Sequence, residues 1–243
     1  AMKEGEWQQA INSYLEQADP SALDDVRAVI SPHAGYIYSG PVAAFAYKLL
    51  SLQAEPPERI ILMGPSHRTW FPNVALGDYS AFRTPLGDVP VDQDFVQRLA
   101  EGSDLFTSLP QAHDAEHCLE VQLPFLQVIY PPVPIVPMLF GEVNPVAVGN
   151  GLASYLGPKD LIVVSSDLSH YHDYKTASRL DHSFVDAILR GDKAAAAQGE
   201  ACGQAPTVAL MSVAEDREWQ PHLLDYRNSG DTAGDKRQVV GYA

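Results

Sequence analysis

Short apolar runs alternate along this chain with longer segments whose apolar residues recur every three to four positions. The second pattern predicts helices over 7–17, 41–50, 145–156, 177–189 and 207–218. Asp92 is placed to cap a further helix running to Ala100. Another covers 119–130, where Pro124 kinks it or marks its first turn. The apolar runs predict strands over 26–31, 59–64, 135–139 and 161–165. Residues 74–76 and 81–84 read as a smaller β element, and 222–228 and 238–242 as closing strands. Pro56-Pro57 and the Pro-rich stretch at 131–134 mark turns from helix to strand. Apolar strands alternating with helices imply an α/β fold: a mostly parallel or mixed central sheet covered by helices on both faces. With no repeat, linker or sharp composition break, residues 1–243 read as a single domain, Ala1-Met2 being a vector remnant.

In such folds the ligand crevice lies beyond the carboxyl ends of the strands. Three strands there run straight into polar groups. The first is followed by Pro32-His33-Ala34-Gly35-Tyr36, the second by Pro65-Ser66-His67, the third by Ser166-Asp167-Leu168-Ser169-His170. Neutral imidazole is the commonest nitrogen ligand for zinc, copper and iron, and two histidines with one anion leave coordination positions open. Cys202 is the best thiolate candidate. It stands just before a predicted helix, whose N-terminus favours the thiolate, and Gly203 beside it permits close backbone approach. Asp167 and His170 offer an acid/base pair, Asp167 orienting a neighbouring imidazole. His113-Asp114-Ala115-Glu116-His117 matches the inverted zinc-peptidase pattern H-x-x-E-H. That pattern needs both histidines on one helical face, whereas His113 precedes the helix. Glu116, His117 and Glu120 read instead as groups behind or along the cleft, and Tyr36 as a cleft residue.

Charge and cysteine usage narrow the partners. A net charge of −15 repels phosphate backbones, which excludes nucleic acid as an expected partner. No run approaches the length of a membrane span, and no basic segment followed by an apolar stretch marks a signal peptide. A cytoplasmic protein with Cys118 and Cys202 reduced is the expectation. Phosphate-loop, dinucleotide, nucleophile-elbow and C-x-x-C signatures are absent, which demotes nucleotide chemistry and serine hydrolysis.

Taken in order, PHAGYIYSGPVAAFAY (32–47), GPSH (64–67), TPLGDVPVD (84–92), EHCLEVQLPFLQ (116–127), VVSSDLSHY (163–171), CGQAP (202–206) and the tail YRNSGD…VGYA (226–231, 240–243) resemble the Memo family, also called protein B of the AmmeMemoRadiSam system. The resemblance implies a fold similar to class III extradiol ring-cleaving dioxygenases, which are non-haem iron enzymes. It places His33, His67 and Cys202 as metal ligands and Asp167 and His170 in the cleft. It also implies a functional link to a radical SAM enzyme. Two departures stand out: the A-G-x-x-Y-like block expected ahead of the first helix is not found, and Cys118 stands where the family usually has Ser. The leading expectation is a mononuclear iron(II) or copper oxidoreductase of dioxygenase-like type acting on a small molecule. The alternatives are a non-catalytic protein holding a metal or a short peptide, with Tyr36, Tyr38, Trp70 and Phe71 lining a groove, and a zinc-dependent hydrolase using His170 or Glu116 as base.

Overall fold

The structure, a computed structural model, describes residues 4–243; Ala1-Met2 lies outside the described residues. The strands are β1 (Ala28–Ser31), β2 (Arg59–Pro65), β3 (Val74–Leu76), β4 (Ala81–Thr84), β5 (Gly87–Pro90), β6 (Phe106–Ser108), β7 (Ile135–Phe140), β8 (Asp160–Ser165), β9 (His170–His172), β10 (Arg227–Asn228) and β11 (Val239–Tyr242). The helices are α1 (Glu4–Gln17), α2 (Tyr36–Ser51), α3 (Gln93–Gly102), α4 (Leu123–Ile129), α5 (Pro145–Ala153), α6 (Tyr174–Leu189), α7 (Lys193–Ala196), α8 (Gln204–Asp216) and α9 (Ser229–Thr232).

Six strands form a central sheet in the order β1-β8-β2-β7-β3-β6. The strands β1, β8, β2 and β7 are mutually parallel; β3 runs antiparallel to β7 and parallel to β6. The sheet is therefore mixed. All six residues of β8 are buried, as are six of the seven in β2. Two-sided burial is why these strands read as continuous apolar runs rather than alternating ones. Each fully buried Leu, Ile or Val there stabilises the fold by roughly 2 kcal/mol.

Local chemistry sets most helix starts. Asp92 caps α3 by accepting from the Phe95 N–H, and Asn144 and Asp173 cap α5 and α6 in the same way. The helix expected from 41 begins at Tyr36 and takes Pro41 inside, which forgoes one backbone hydrogen bond. The segment 119–130 divides into a 3-10 turn at Glu120–Gln122 and α4, with Pro124 in the first turn of α4.

Two β expectations are corrected. Residues 74–76 join the central sheet rather than the hairpin of β4 and β5. Of 222–228, only Arg227–Asn228 is strand; it joins β11 and β9 in a small antiparallel sheet. Helix α8 packs on α5 at close range because Gly149 has no Cβ; one placed there would lie 2.3 Å from the Ala209 carbonyl oxygen. That contact fixes α8, which carries Cys202 at its approach. Among the described residues no helix is long and apolar enough to cross a membrane.

Candidate metal centre

The neighbouring strands β1, β8 and β2 end together, so the residues that leave them share one crevice. His33, Asp167 and His67 each lie two residues past their strand. A fourth segment joins them: the turn before the 3-10 helix brings Glu116, His117 and Cys118 over the end of β2. His33, His67 and His117 each offer a ring nitrogen, and these atoms lie within 4.8 Å of one another. The ring centroids are 5.4 Å apart for His33 and His67, 5.6 Å for His33 and His117, and 5.2 Å for His67 and His117.

His33 is 3 % exposed, and a chain of buried polar groups sets its tautomer. The Tyr47 hydroxyl donates to Gln122 Oε1 at 2.5 Å, which fixes the Gln122 amide. Gln122 Nε2 then donates to Ser165 Oγ at 2.7 Å and to the Pro32 carbonyl at 3.0 Å. Ser165 donates its only proton to the Cys118 carbonyl at 2.6 Å. The 2.9 Å contact between Ser165 Oγ and His33 Nδ1 must therefore have the imidazole as donor. His33 carries its proton on Nδ1 and keeps the Nε2 lone pair free. Burial, opposed by the Asp167 carboxylate, lowers its pKa to about 4, so the ring is neutral at neutral pH.

This gives a first expected result. In 15N NMR of the metal-free protein, His33 shows the Nδ1–H form alone. Ser165→Ala mixes the two tautomers and weakens metal binding roughly 10-fold. A wild-type His33 protonated on Nε2, or a metal affinity unmoved by the substitution, contradicts the assignment.

Glu116 serves the other two histidines. Its Oε1 accepts from His67 Nδ1 at 2.9 Å, from the His117 N–H at 2.9 Å and from the Cys118 N–H at 3.1 Å. Its Oε2 accepts the His67 N–H at 2.7 Å, and His117 Nδ1 lies 3.3 Å from Oε1. Burial alone raises the pKa of this carboxyl, but the converging N–H donors outweigh it and hold it well below the carboxylate range. His33 and His67 thus have Nδ1 engaged and Nε2 left to bind, and Glu116 Oε1 lies close to Nδ1 of His117. A carboxylate behind the outer nitrogen is the arrangement that orients metal-bound histidine.

Cys202 Sγ lies 3.4 Å from His33 Nε2 and accepts the Asp167 N–H at 3.2 Å. Gly203 makes this possible: a Cβ there would sit 2.4 Å from the Ser166 Cβ. The expectation that the helix terminus favours the thiolate is not met. Burial, then the Asp167 carboxylate, pushes the thiol up to about 12. A cation at the imidazole nitrogens reverses that balance, since coordination deprotonates a thiol. The Asp167 carboxylate accepts the His33 N–H through Oδ1 at 2.8 Å, and its Oδ2 is 3.9 Å from His33 Nε2. Cys118 is fully buried and donates to the Pro65 carbonyl at 3.2 Å. Its ligating atom also groups with those of His67 and Glu116 within 4.8 Å. The donor set, neutral imidazoles beside thiols and a carboxylate, fits a transition metal such as zinc, copper or iron.

A family model described as Memo-like protein matches residues 2–243. The chain belongs to the Memo family. Its relatives include MEMO1 family proteins of Sulfolobus acidocaldarius, 34% identical with 99% of this chain and 90% of that one covered, and of Aeropyrum pernix, 37% identical with 94% and 85% covered. An uncharacterized protein from Escherichia coli K12 has a similar fold, with a TM-score of 0.52 at 13% identity over 88% of this chain and 98% of that one.

Several expected residues of this Memo chain take other places. His117, expected only along the cleft, stands among the converging imidazoles. His170 is half-buried on β9; its N–H donates to Glu200 at 3.3 Å and its ring meets Tyr171 at 5.8 Å. It is not in the histidine group found among the described residues. Tyr36 is packed rather than free: its hydroxyl donates to the Val121 carbonyl at 2.6 Å, and its ring meets Trp7 and Phe125 edge-on. Glu120 is exposed, and Phe71 is buried at 4 %, which removes it from any groove. His113 hydrogen-bonds the Ala75 carbonyl at 3.1 Å and is not in the histidine group found among the described residues, so H-x-x-E-H does not act as one ligand set. Sequence reasoning missed Ser165 and Gln122. The only signal was a polar side chain at the end of an apolar strand and another within an apolar helix.

Proposed function

We propose that this protein is a mononuclear metal-dependent oxidoreductase whose metal, iron(II) or copper, is held by His33, His67 and His117, with Cys202 completing the set. The observation that carries this reading is the 3.4 Å approach of the Cys202 thiol to His33 Nε2 beside two further imidazoles. A soft, electron-rich donor next to neutral imidazoles favours copper or thiolate-bound iron over a hard divalent ion. When bound, the metal supplies Lewis acidity and a redox couple. The chain's own residues do the rest. Ser165 and Gln122 hold His33 with Nε2 free, and Glu116 holds His67 and His117. Asp167 is the nearest carboxylate to His33 Nε2 and is the group placed to take a proton there. His170 lies on the adjoining small sheet, outside the imidazole group.

One observation favours a second reading. Three imidazoles without a required anion also form a zinc site that activates water for hydrolysis. Protein reconstituted separately with iron(II), copper and zinc under anaerobic conditions separates the two. Oxygen uptake with the iron or copper form on a substrate panel, abolished in His67→Ala, supports the oxidoreductase. Ester or amide hydrolysis by the zinc form alone, lost in the same variant, overturns it in favour of the hydrolase.

A further inference from the structure

A cleft of about 520 Å³ opens directly beside the site, with His67 and Cys202 in its wall. Its other walls mix apolar residues, Phe140 and Pro206, with polar ones, Glu142 and Gln204 among them, and the segment after β2 adds one aromatic and one cationic residue. Trp70 is 73 % exposed, so one face of its indole is open to a ligand in the cleft. Its ring is nonetheless fixed, because Nε1–H donates to Glu142 Oε2 at 2.9 Å. That bond also engages the acid on the same wall. Arg68, which lines the cleft two residues before Trp70, has no hydrogen-bond or ion-pair partner among the described residues. A free guanidinium on a chain of net charge −15 is a local exception to an anion-repelling surface.

We infer that this cleft binds a small organic carboxylate, its carboxylate held by Arg68 and its apolar body laid against Trp70, with the far end directed at His67 and Cys202. The inference rests on the reading above in one respect only: the metal centre is what makes the cleft a substrate site. The guanidinium fork matches a carboxylate in bidentate fashion, and a fixed indole offers a flat apolar face at little entropic cost. The volume lies within the range of small-molecule sites.

The probe is phenylacetate, with methyl phenylacetate as its uncharged counterpart, added to metal-free protein and followed by tryptophan fluorescence and calorimetry. The chain has three tryptophans, so the Trp70→Phe variant assigns the optical signal. Saturable binding of the acid, little binding of the ester, a roughly 10- to 100-fold loss in Arg68→Gln and a smaller loss in Arg68→Lys are expected. Equal binding of acid and ester, no effect of Arg68→Gln, or no saturable binding of phenylacetate overturns the inference. Metal affinity measured on the same variants keeps the two readings apart. Arg68→Gln is expected to leave metal binding intact, and His67→Ala to abolish it while phenylacetate still binds.

Discussion

Glu116→Ala is expected to cost about 3 kcal/mol of folding stability and to weaken metal binding roughly 10- to 100-fold. Both effects come from the same two oxygens. The Glu116 side chain is 2 % exposed and takes the His67 ring and the N–H groups of His67, His117 and Cys118. Alanine leaves those donors buried without an acceptor, which is the costly half of the hydrogen-bond balance. It also frees the His67 ring to turn, and the free energy of holding it then falls on the metal. Glu116→Gln separates the effects. One amide oxygen still accepts, but the amide nitrogen faces an N–H donor, so a smaller stability loss and an intermediate affinity are expected. Denaturant unfolding of the metal-free variants, with metal titration of the same samples, reads both quantities. Stability and affinity equal to wild type in Glu116→Ala would remove the carboxylate from the account.

The metal-free protein is expected to lose stability steeply on mild acidification. His33 and His113 are both buried, and burial lowers each from 6.5 to about 4. A histidine with a depressed pKa in the folded state binds its proton more readily when the chain is unfolded. Its contribution is therefore fully present above about pH 6.5 and drains away as the pH falls toward 4. The upper limit is about 3 kcal/mol for each residue. His113 provides the cleaner control because it lies outside the imidazole group, bonded to the Ala75 carbonyl. Unfolding free energies between pH 7 and 4.5 are expected to fall by several kcal/mol, and the slope is expected to halve in a His113→Asn variant that still folds. A flat profile over that interval would show that these rings are not buried and neutral. As the pH falls through the usual carboxylate range the loss continues, because the unfolded chain protonates Glu116 while the donors in the fold still hold it charged.

The acid profile and the Glu116 effect draw on features that differ in how far the sequence reveals them. The central strands are legible because β2 and β8 are buried on both faces, which leaves a continuous apolar run and no alternation. Once those strands are placed, the rule that α/β sites lie beyond strand ends finds His33, His67 and Asp167 directly, each two residues past its strand. Cys202 is legible through Gly203, whose missing Cβ matters at 2.4 Å from Ser166. His117 is not legible as a donor. Its position depends on an irregular turn folding back over the end of β2, and no periodicity encodes such a turn. The tautomer of His33 is further still from the sequence, since it follows from Tyr47, Gln122 and Ser165 meeting from three separate elements. Strand β3 is legible as a strand, but three residues are too few to show which sheet they join.

The most direct test of the metal centre is elemental analysis and metal titration of anaerobically purified protein beside His33→Ala, His67→Ala, His117→Ala and Cys202→Ala. About one transition-metal ion per chain is expected for the wild type, lost in each histidine variant and weakened in Cys202→Ala. A wild-type protein that takes up no iron, copper or zinc, or one whose occupancy survives the loss of His67, would contradict it.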